Sequence, residues 1–289
     1  MSIVIILVLV LKFSIVLTVF AVGLDARPEE TVFLLRRPEK LVRSLVAMNL
    51  VMPLFVMALV AIFPLPVVVK VTLVALSVSP VPPFLPGRVL KMGGSESYLI
   101  SLLAIAALLS IVLAPVIVSL FGAVFGVETH TDVIKIALSV AISVLAPLAA
   151  GVSIRQTWPR VADAVARPIG TTAAVLLVVI SLIGLVGLWP LIASLIGSGT
   201  VFAFLAFVVV ALLVGHMLGG PEPDEQTVLA FATASRHPGV AIAIVAANFA
   251  DTKLAAASVF LYLIVSILGA IPYTLWRKHH DRGVHAAAE

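Results

Sequence analysis

An arginine and a histidine lie together in the middle of a strongly apolar stretch of this sequence. Residues 231–250 read FATASRHPGVAIAIVAANFA, in which Arg236 and His237 precede Pro238 and Gly239. A charge inside a membrane-spanning segment is costly and marks a functional site by default. A guanidinium can grip a carboxylate through two parallel hydrogen bonds, and a histidine can carry a proton. The residue types therefore point to recognition of an anion within a membrane.

The composition places almost the whole chain in a bilayer. Of its 289 residues, 62% are apolar and 11% are charged, whereas soluble domains lie nearer half and a quarter. A span needs about 20 apolar residues. We predict an all-α, polytopic membrane protein with nine transmembrane helices, at 2–24, 40–63, 66–92, 96–125, 133–154, 166–189, 198–219, 224–250 and 254–276.

The sequence favours no enzyme chemistry. It has no cysteine, and it contains no nucleophile–base pair, metal cluster or phosphate loop that we recognise. We predict no cofactor. The net charge of +4 reports membrane topology here and does not indicate a nucleic-acid partner.

The loops predict the orientation of the chain. Basic residues concentrate after spans one, three and five and in the tail, and the opposite loops are poor in them. By the positive-inside rule the basic side is cytoplasmic. We therefore predict a multi-pass protein of a bacterial-type plasma membrane, with its N-terminus outside and its C-terminus inside. The loop 219–226, GGPEPDEQ, is acidic although it is predicted to be cytoplasmic.

Two spans are interrupted at matching places. Span three contains SVSPVPPFLPG at 77–87, where Pro82 and Pro83 are adjacent, and span eight breaks at SRHPG. Irregular backbone at membrane depth survives only inside protein or beside a wet cavity. The pattern predicts inverted repeats, repeat 1 at about 2–125 and repeat 2 at about 166–277, joined by the span 133–154. Paired interruptions of this kind are typical of the substrate site of a secondary transporter.

The two interruptions should attract an anion. Each restarted half-helix directs a positive N-terminal end at the midplane, and neither break contains Asp or Glu. We predict a substrate site in the single membrane domain, formed by residues of and around both breaks: Arg236, His237, Ser235, Thr233, Pro238, Gly239, Ser79, Pro82 and Pro83.

Some of these residues also have a purely structural interpretation. Arg236 would in that case pair with the C-terminal carbonyls of the first half-helix and only hold the break together. Ser79, Thr233 and Ser235, together with Ser77, could cap the freed amides. Both interpretations of Arg236 stay open on the sequence alone.

Three further polar residues lie within predicted spans. Lys12, in span one, is either a second anion contact or a side chain that snorkels along a helix surface. Asn49, in span two, and Asn248, beyond the second break, either bind the substrate or join helices. All three are candidate substrate contacts.

The chain resembles the bile acid:sodium symporter family, within the larger group that holds arsenite and auxin-efflux carriers. Four stretches carry the resemblance: VGLDARPEE, RRPEKLVRSLVAMNLVMPL, SVSPVPPFLPGRVLKMGGSESYLIS and SRHPGVAIAIVAANF. It implies the nine-span form of the family, with a panel of spans one, five and six. It also implies a core of spans two, three, four, seven, eight and nine, in which the two discontinuous helices cross. Family substrates are organic anions, often moved with sodium.

The sequence departs from the family at its sodium ligands. The family's second break usually reads Glu-x-Gly-x-Gln-Asn-Ser-Gly. When its final glycine is placed on Gly239, the acidic position falls on Ala232, and Gln and Asn fall on Arg236 and His237. A fixed guanidinium opposes a nearby cation. We therefore expect Arg236 to stand for the ion's charge, with coupling that is either linked to protons through His237 or absent.

Alternatives to this function stay open. Ser97 and Ser101 could supply two oxygens to sodium but not a full site, so a sodium-coupled symporter with an altered motif is one of them. A non-transporting membrane sensor or scaffold on the same fold is another. A carrier of a neutral or inorganic species such as arsenite is a third, although it fits poorly with Arg236.

Overall fold

All regular elements in the described part of the chain are helices. The structure is a computed structural model, and it describes residues 3–26, 28–82, 84–126, 134, 138, 140–249 and 251–286. The main helices are α1 (Ile3–Asp25), α2 (Pro38–Ile62), α3 (Val67–Val78), α4 (Glu96–Phe125), α5 (Ala146–Thr157), α6 (Pro159–Gly187), α7 (Thr200–Leu218), α8 (Pro223–Ala234), α9 (Pro238–Asn248), α10 (Thr252–Gly269) and α11 (Ile271–Ala286).

Several shorter elements complete these helices. A π-helical stretch at Val46–Val51 lies inside α2, and another at Ala141–Leu145 leads into α5. Short helices occupy Pro28–Thr31, Pro86–Val89 and Trp189–Leu195, and a 3-10 turn follows at Leu90–Met92. Most of the described residues are therefore helical, and the irregular backbone is confined to a few short segments between helices.

Six helices in the described part of the chain are long and apolar enough to cross a membrane. They are Pro38–Ile62, Glu96–Phe125, Pro159–Gly187, Thr200–Leu218, Pro223–Asn248 and Thr252–His279, of which Pro223–Asn248 combines α8 with α9 and Thr252–His279 combines α10 with part of α11. Two shorter apolar stretches, Phe13–Asp25 within α1 and the helix Val67–Val78, add to them. The structure thus has the several apolar helices of a multi-pass membrane protein, and the count of nine spans stays a prediction.

The helix boundaries follow most of the predicted spans, with clear differences at the start of span six and at the end of span nine, where α11 continues past 276 to Ala286. Span six was predicted to begin at 166, whereas α6 begins at Pro159, and it continues through Pro168 to Gly187. Proline is well tolerated in the first turn of a helix because the amide it lacks has no partner there. The first part of predicted span five, 133–154, lies mostly outside the described residues.

Helices α1, α5 and α6 pack against one another. The contact between α1 and α5 is made backbone to backbone, because a Cβ atom on Gly151 would lie 2.5 Å from the carbonyl oxygen of Phe20. A Cβ atom on Gly23 would likewise lie 2.6 Å from the carbonyl oxygen of Leu148. Small residues at such positions allow helices in a membrane to approach closely. These three helices are the ones that the resemblance assigns to a panel, an assignment that stays a prediction.

The remaining helices surround the two interruptions. α7 packs closely on α8, where Gly215 has no room for a side chain against Ala230. α9 packs on both α3 and α10, and α10 also contacts α7. On the outside of α4, apolar side chains at four-residue spacing are exposed: Leu108, Val112, Val116, Leu120 and Val124. Such an exposed apolar stripe suits contact with lipid.

The acidic loop 219–226 lies beside basic residues of other segments. Lys40, at the start of α2, forms an ion pair of 2.5 Å with Glu225 at the start of α8. Arg277 donates a hydrogen bond to the carbonyl oxygen of Pro223 at 2.9 Å. The first loop, this acidic loop and the C-terminal segment therefore meet at one end of the molecule, as the predicted topology requires of them.

Candidate functional site

The two interrupted helices meet at their breaks. α3 ends at Val78 and the chain continues in extended backbone from Ser79. The second break separates α8 from α9 at residues 235–237, and the amide of His237 donates to the carbonyl oxygen of Pro80 at 2.9 Å. Because α9 also packs along α3, both breaks form a single region of irregular backbone inside the protein.

Arg236 lies at the centre of this region. Its side chain is almost fully buried, with 1% exposed. Its guanidinium donates to three backbone carbonyls: Nε to Thr233 at 3.1 Å, Nη1 to Ser79 at 3.1 Å and Nη2 to Met48 at 3.2 Å. The three acceptors come from three different segments, so Arg236 ties α2 to both breaks.

Helix ends supply the counter-charge for Arg236. Ser79 follows the last residue of α3, and Thr233 lies in the last turn of α8. The last carbonyls of a helix lack intrahelical donors and carry its partial negative charge. No described carboxylate pairs with Arg236, so these carbonyls and that of Met48, in the π-helical stretch of α2, compensate the buried cation. This geometry corresponds to the structural interpretation of Arg236, extended to the first break.

The point where the two breaks meet, at Ser79–Pro80 and Arg236–His237, is called the crossing below, and its residues do not fit a sodium ion. Sodium prefers several oxygen ligands, but here the carbonyls of Ser79 and Thr233 already accept hydrogen bonds from the Arg236 guanidinium. Where the family's motif has a carboxylate, this chain has Ala232, which is fully buried. A second cation placed here would meet a fixed positive charge at close range.

Neither serine proposed for sodium reaches this region by any described hydrogen bond. Ser101 is buried, and its hydroxyl accepts the amide of Leu34 at 2.9 Å. Ser97 lies one turn earlier on α4 and is half-buried. Ser101 therefore connects α4 to the segment before α2.

His237 caps the helix that restarts after the second break. Its side chain is the N-cap of α9, and Nδ1 accepts the amide of Val240 at 3.4 Å. An accepting Nδ1 carries no proton, so the proton of the neutral ring lies on Nε2. Nε2 is buried and has no hydrogen-bond partner in the described part of the protein. Gly239 packs against the ring, since a Cβ atom there would lie 3.2 Å from Cε1 of His237.

The serines of the first break donate to carbonyls and do not cap the freed amides, which was the structural interpretation left open for them. The hydroxyl of Ser79 donates to the carbonyl of Ala75 at 2.7 Å, and that of Ser77 donates to Val74 at 2.8 Å. Both residues lie at the C-terminal end of α3, where the free backbone groups are carbonyls and the amides are already bonded. Thr233 is similar in position, but its hydroxyl is buried without a partner among the described residues.

A cavity of about 330 Å³ lies between both breaks and helices α6 and α10. Its polar lining consists of Arg88, Ser181, Ser235, Arg236, Tyr262 and Ser266, and no described Asp or Glu contributes to it. Pro238 also lines it, and most of the remaining wall is aliphatic or aromatic. The cavity can therefore hold a small molecule with an apolar body and a negatively charged group.

The other predicted site residues are spread more widely. Pro82 is buried in the first break, whereas Pro83 and the side chain of Lys12 lie outside the described residues. Asn49 is half-buried beside Met48 and does not line this cavity. Asn248 donates to Ile244 within its own helix at 2.8 Å and lines a second cavity, of about 350 Å³, with Lys70.

Arg88 and Tyr262 are two of the lining residues that were not among the predicted contacts. In the sequence, Arg88 is one of the basic residues after span three that predict the orientation of the chain. Tyr262, in the ninth predicted span, donates to the carbonyl of Ala234 at 2.5 Å and so stabilises the end of α8. The only sequence signal for either one is a polar group close to an interruption or within a span.

A family model described as the Sodium Bile acid symporter family matches residues 12–198. The match includes the first interruption and Arg88, and it ends before Arg236. No curated protein matches the chain.

Proposed function

Because this chain belongs to the sodium bile acid symporter family, whose members are membrane transporters, we propose that it carries an organic anion across the membrane without sodium. The substrate occupies the cavity between α6, α10 and the two breaks. Transport follows from movement of the helices α1, α5 and α6 relative to the others, which exposes the cavity alternately to the two sides of the membrane.

One observation carries the proposal. At the crossing, the guanidinium of Arg236 is held by carbonyls of both breaks, next to a cavity whose lining has two arginines and no described carboxylate. A positive charge fixed in the protein attracts an anion as a bound cation would, but it is not released with the substrate. The anion therefore moves alone.

Of the two coupling modes that the sequence leaves open, the surroundings of His237 favour transport without protons. A proton added to Nδ1 would displace the hydrogen bond from Val240 and place a second charge beside Arg236. Burial of an additional unpaired cation is strongly unfavourable. An uncoupled carrier of a monovalent anion moves one negative charge in each cycle.

Proteoliposomes containing the full chain test this proposal. Uptake of labelled cholate and phenylbutyrate should be saturable and equal in sodium and N-methylglucamine buffers, with empty liposomes as the control. An inside-positive potential should accelerate it, because 100 mV is worth about 2.3 kcal/mol per elementary charge, and an imposed pH gradient at zero potential should not. A requirement for sodium would contradict the proposed coupling. Absence of uptake above empty liposomes would favour the sensor or scaffold alternative.

A further inference from the structure

The two arginines that line the cavity differ in how many of their N–H donors already bond to a protein acceptor. Arg236 donates to three backbone carbonyls and is 1% exposed. Arg88 is half-buried, and within the described part of the chain its guanidinium makes one hydrogen bond, from Nη2 to the hydroxyl of Thr274 at a long 3.5 Å. A guanidinium has five N–H donors in all. Most donors of Arg88 therefore have no described protein partner.

The position of Arg88 is fixed by the first break. It lies in the short helix Pro86–Val89, which restarts the chain after that break, and Phe84 from the same segment also lines the cavity. The Cζ atom of Arg88 lies 4.9 Å from the ring centroid of Phe231 on α8. This cation–π contact holds the guanidinium against the core without neutralising its charge.

No carboxylate compensates Arg88 in the described part of the protein, where its recorded contacts are with a hydroxyl and an aromatic ring. The opposite walls of the cavity are apolar and include Leu177, Leu182 and Leu185 of α6 and Leu263 and Ile267 of α10. The ligand that best complements a half-buried cation and apolar walls has an anionic group to pair with the cation and an apolar part to contact the walls.

We infer that Arg88 makes the direct ion pair with the anionic group of the transported molecule, while Arg236 acts by holding the crossing together. The inference rests on the proposed function and assigns the anion contact within it. The apolar remainder of the ligand then lies between α6 and α10. Arg88 is thereby the residue that selects an acid over a neutral molecule of the same shape.

A matched pair of probes measures this selectivity on the purified full chain in nanodiscs. Phenylbutyrate and phenylbutyramide share a shape and differ in charge at neutral pH. We expect wild type to bind the acid roughly tenfold or more tightly than the amide, since a charged hydrogen bond contributes about 1.5–3 kcal/mol. Arg88→Gln should abolish this preference and leave the affinity for the amide unchanged. Arg88→Lys should keep part of it, and Arg160→Gln, which changes an exposed arginine of α6, should keep all of it.

Chemical rescue provides a second test on protein that is already folded. The chain contains no cysteine, so Arg88→Cys creates a single reactive thiol. Aminoethyl methanethiosulfonate, which attaches a cation, should restore the preference for phenylbutyrate, and the sulfonatoethyl reagent, which attaches an anion, should not.

The outcomes separate this inference from the proposed function. A preference for the acid that survives in Arg88→Gln, or that fails to return with the cationic reagent, would overturn the role of Arg88 and leave the carrier proposal intact. If wild type bound neither probe and transported no organic anion, the proposed function would fail, and the role of Arg88 with it.

Discussion

The guanidinium of Arg236 donates a hydrogen bond to the backbone carbonyl of Ser79, with 3.1 Å between Nη1 and the oxygen. The two residues are 157 positions apart, and each belongs to a different interrupted helix. The bond therefore joins the two breaks directly, and the amide of His237 adds a second connection to Pro80. Arg236 accordingly stabilises the crossing itself, which leads to the first prediction.

Replacement of Arg236 by Gln should destabilise the protein. The carbonyls of Ser79, Thr233 and Met48 would lose their donor, and each buried polar group without a partner costs about 1–3 kcal/mol. We expect the melting temperature, followed by the fluorescence of the three tryptophans, to fall clearly. Arg236→Lys should fall less, because its ammonium retains three donors. Arg160→Gln is the control, and an equal loss in both glutamine variants would contradict the role assigned to Arg236.

The stabilising effect of the N-cap at position 237 should require a side-chain hydrogen-bond acceptor but not an imidazole. His237→Asn keeps a side-chain oxygen that can accept the amide of Val240, whereas His237→Ala removes the cap. An N-cap lost to alanine costs about 1 kcal/mol. We therefore expect the melting temperature to fall more in His237→Ala than in His237→Asn.

Uptake by His237→Asn should remain insensitive to a pH gradient. Proton-driven uptake in wild type that vanishes in this variant would instead identify His237 as a proton carrier.

The packing of α1 on α5 should tolerate no side chain at Gly151. A Cβ atom there would lie 2.5 Å from the carbonyl oxygen of Phe20, which is backbone and cannot move aside alone. Overpacking of this kind costs about 1–3 kcal/mol, so Gly151→Ala should lower the melting temperature. Gly170→Ala on α6 is the matched control, because its Cβ would make an ordinary contact of 3.5 Å with Ala21. Equal stability of the two variants would refute the close approach.

The ion pair between Lys40 and Glu225 should be worth more than the exposed pair between Glu39 and Arg43. The side chain of Glu225 is 6% exposed, while that of Glu39 is 76% exposed. Exposed pairs at this helical spacing contribute about 0.3–0.5 kcal/mol. Double-mutant cycles with methionine at the basic position and glutamine at the acidic one should give a clearly larger coupling energy for Lys40–Glu225. Similar coupling energies would show that the buried pair does not hold the two helix starts together.

Helix positions were predictable because the bilayer imposes a simple rule on composition. Long apolar runs mark the helices, and the prolines around Pro82 and the SRHPG motif mark both interruptions. The errors arose where a helix begins in polar sequence, as at Pro159, because hydropathy locates the apolar part of a helix and not its first turn. Capping of amides stayed open for the serines near the first break, because their position relative to the end of α3 does not follow from the sequence.

The chemistry of the candidate site stays a prediction, and the residues that line the cavity were predictable only in part. A cation beside the second break and the lack of acids in either break indicated an anion site, and Ser235, Arg236 and Pro238 do line the cavity. Arg88 looked like any other basic residue of a loop. Only the tertiary structure shows that the short helix after the first break lies against Phe231 and opposite α6, so that Arg88 lines the cavity.

The sequence by itself determined that this chain lies in a membrane, that two of its helices break, and that a positive charge stands at the second break. These features depend on residue type and local order, which hydropathy and proline chemistry read directly. Only the tertiary structure decided which groups each charge meets. Arg236 meets carbonyls of Ser79 and Met48, which are distant in sequence, and Arg88 faces the cavity, because contacts between helix ends depend on how the helices cross in space.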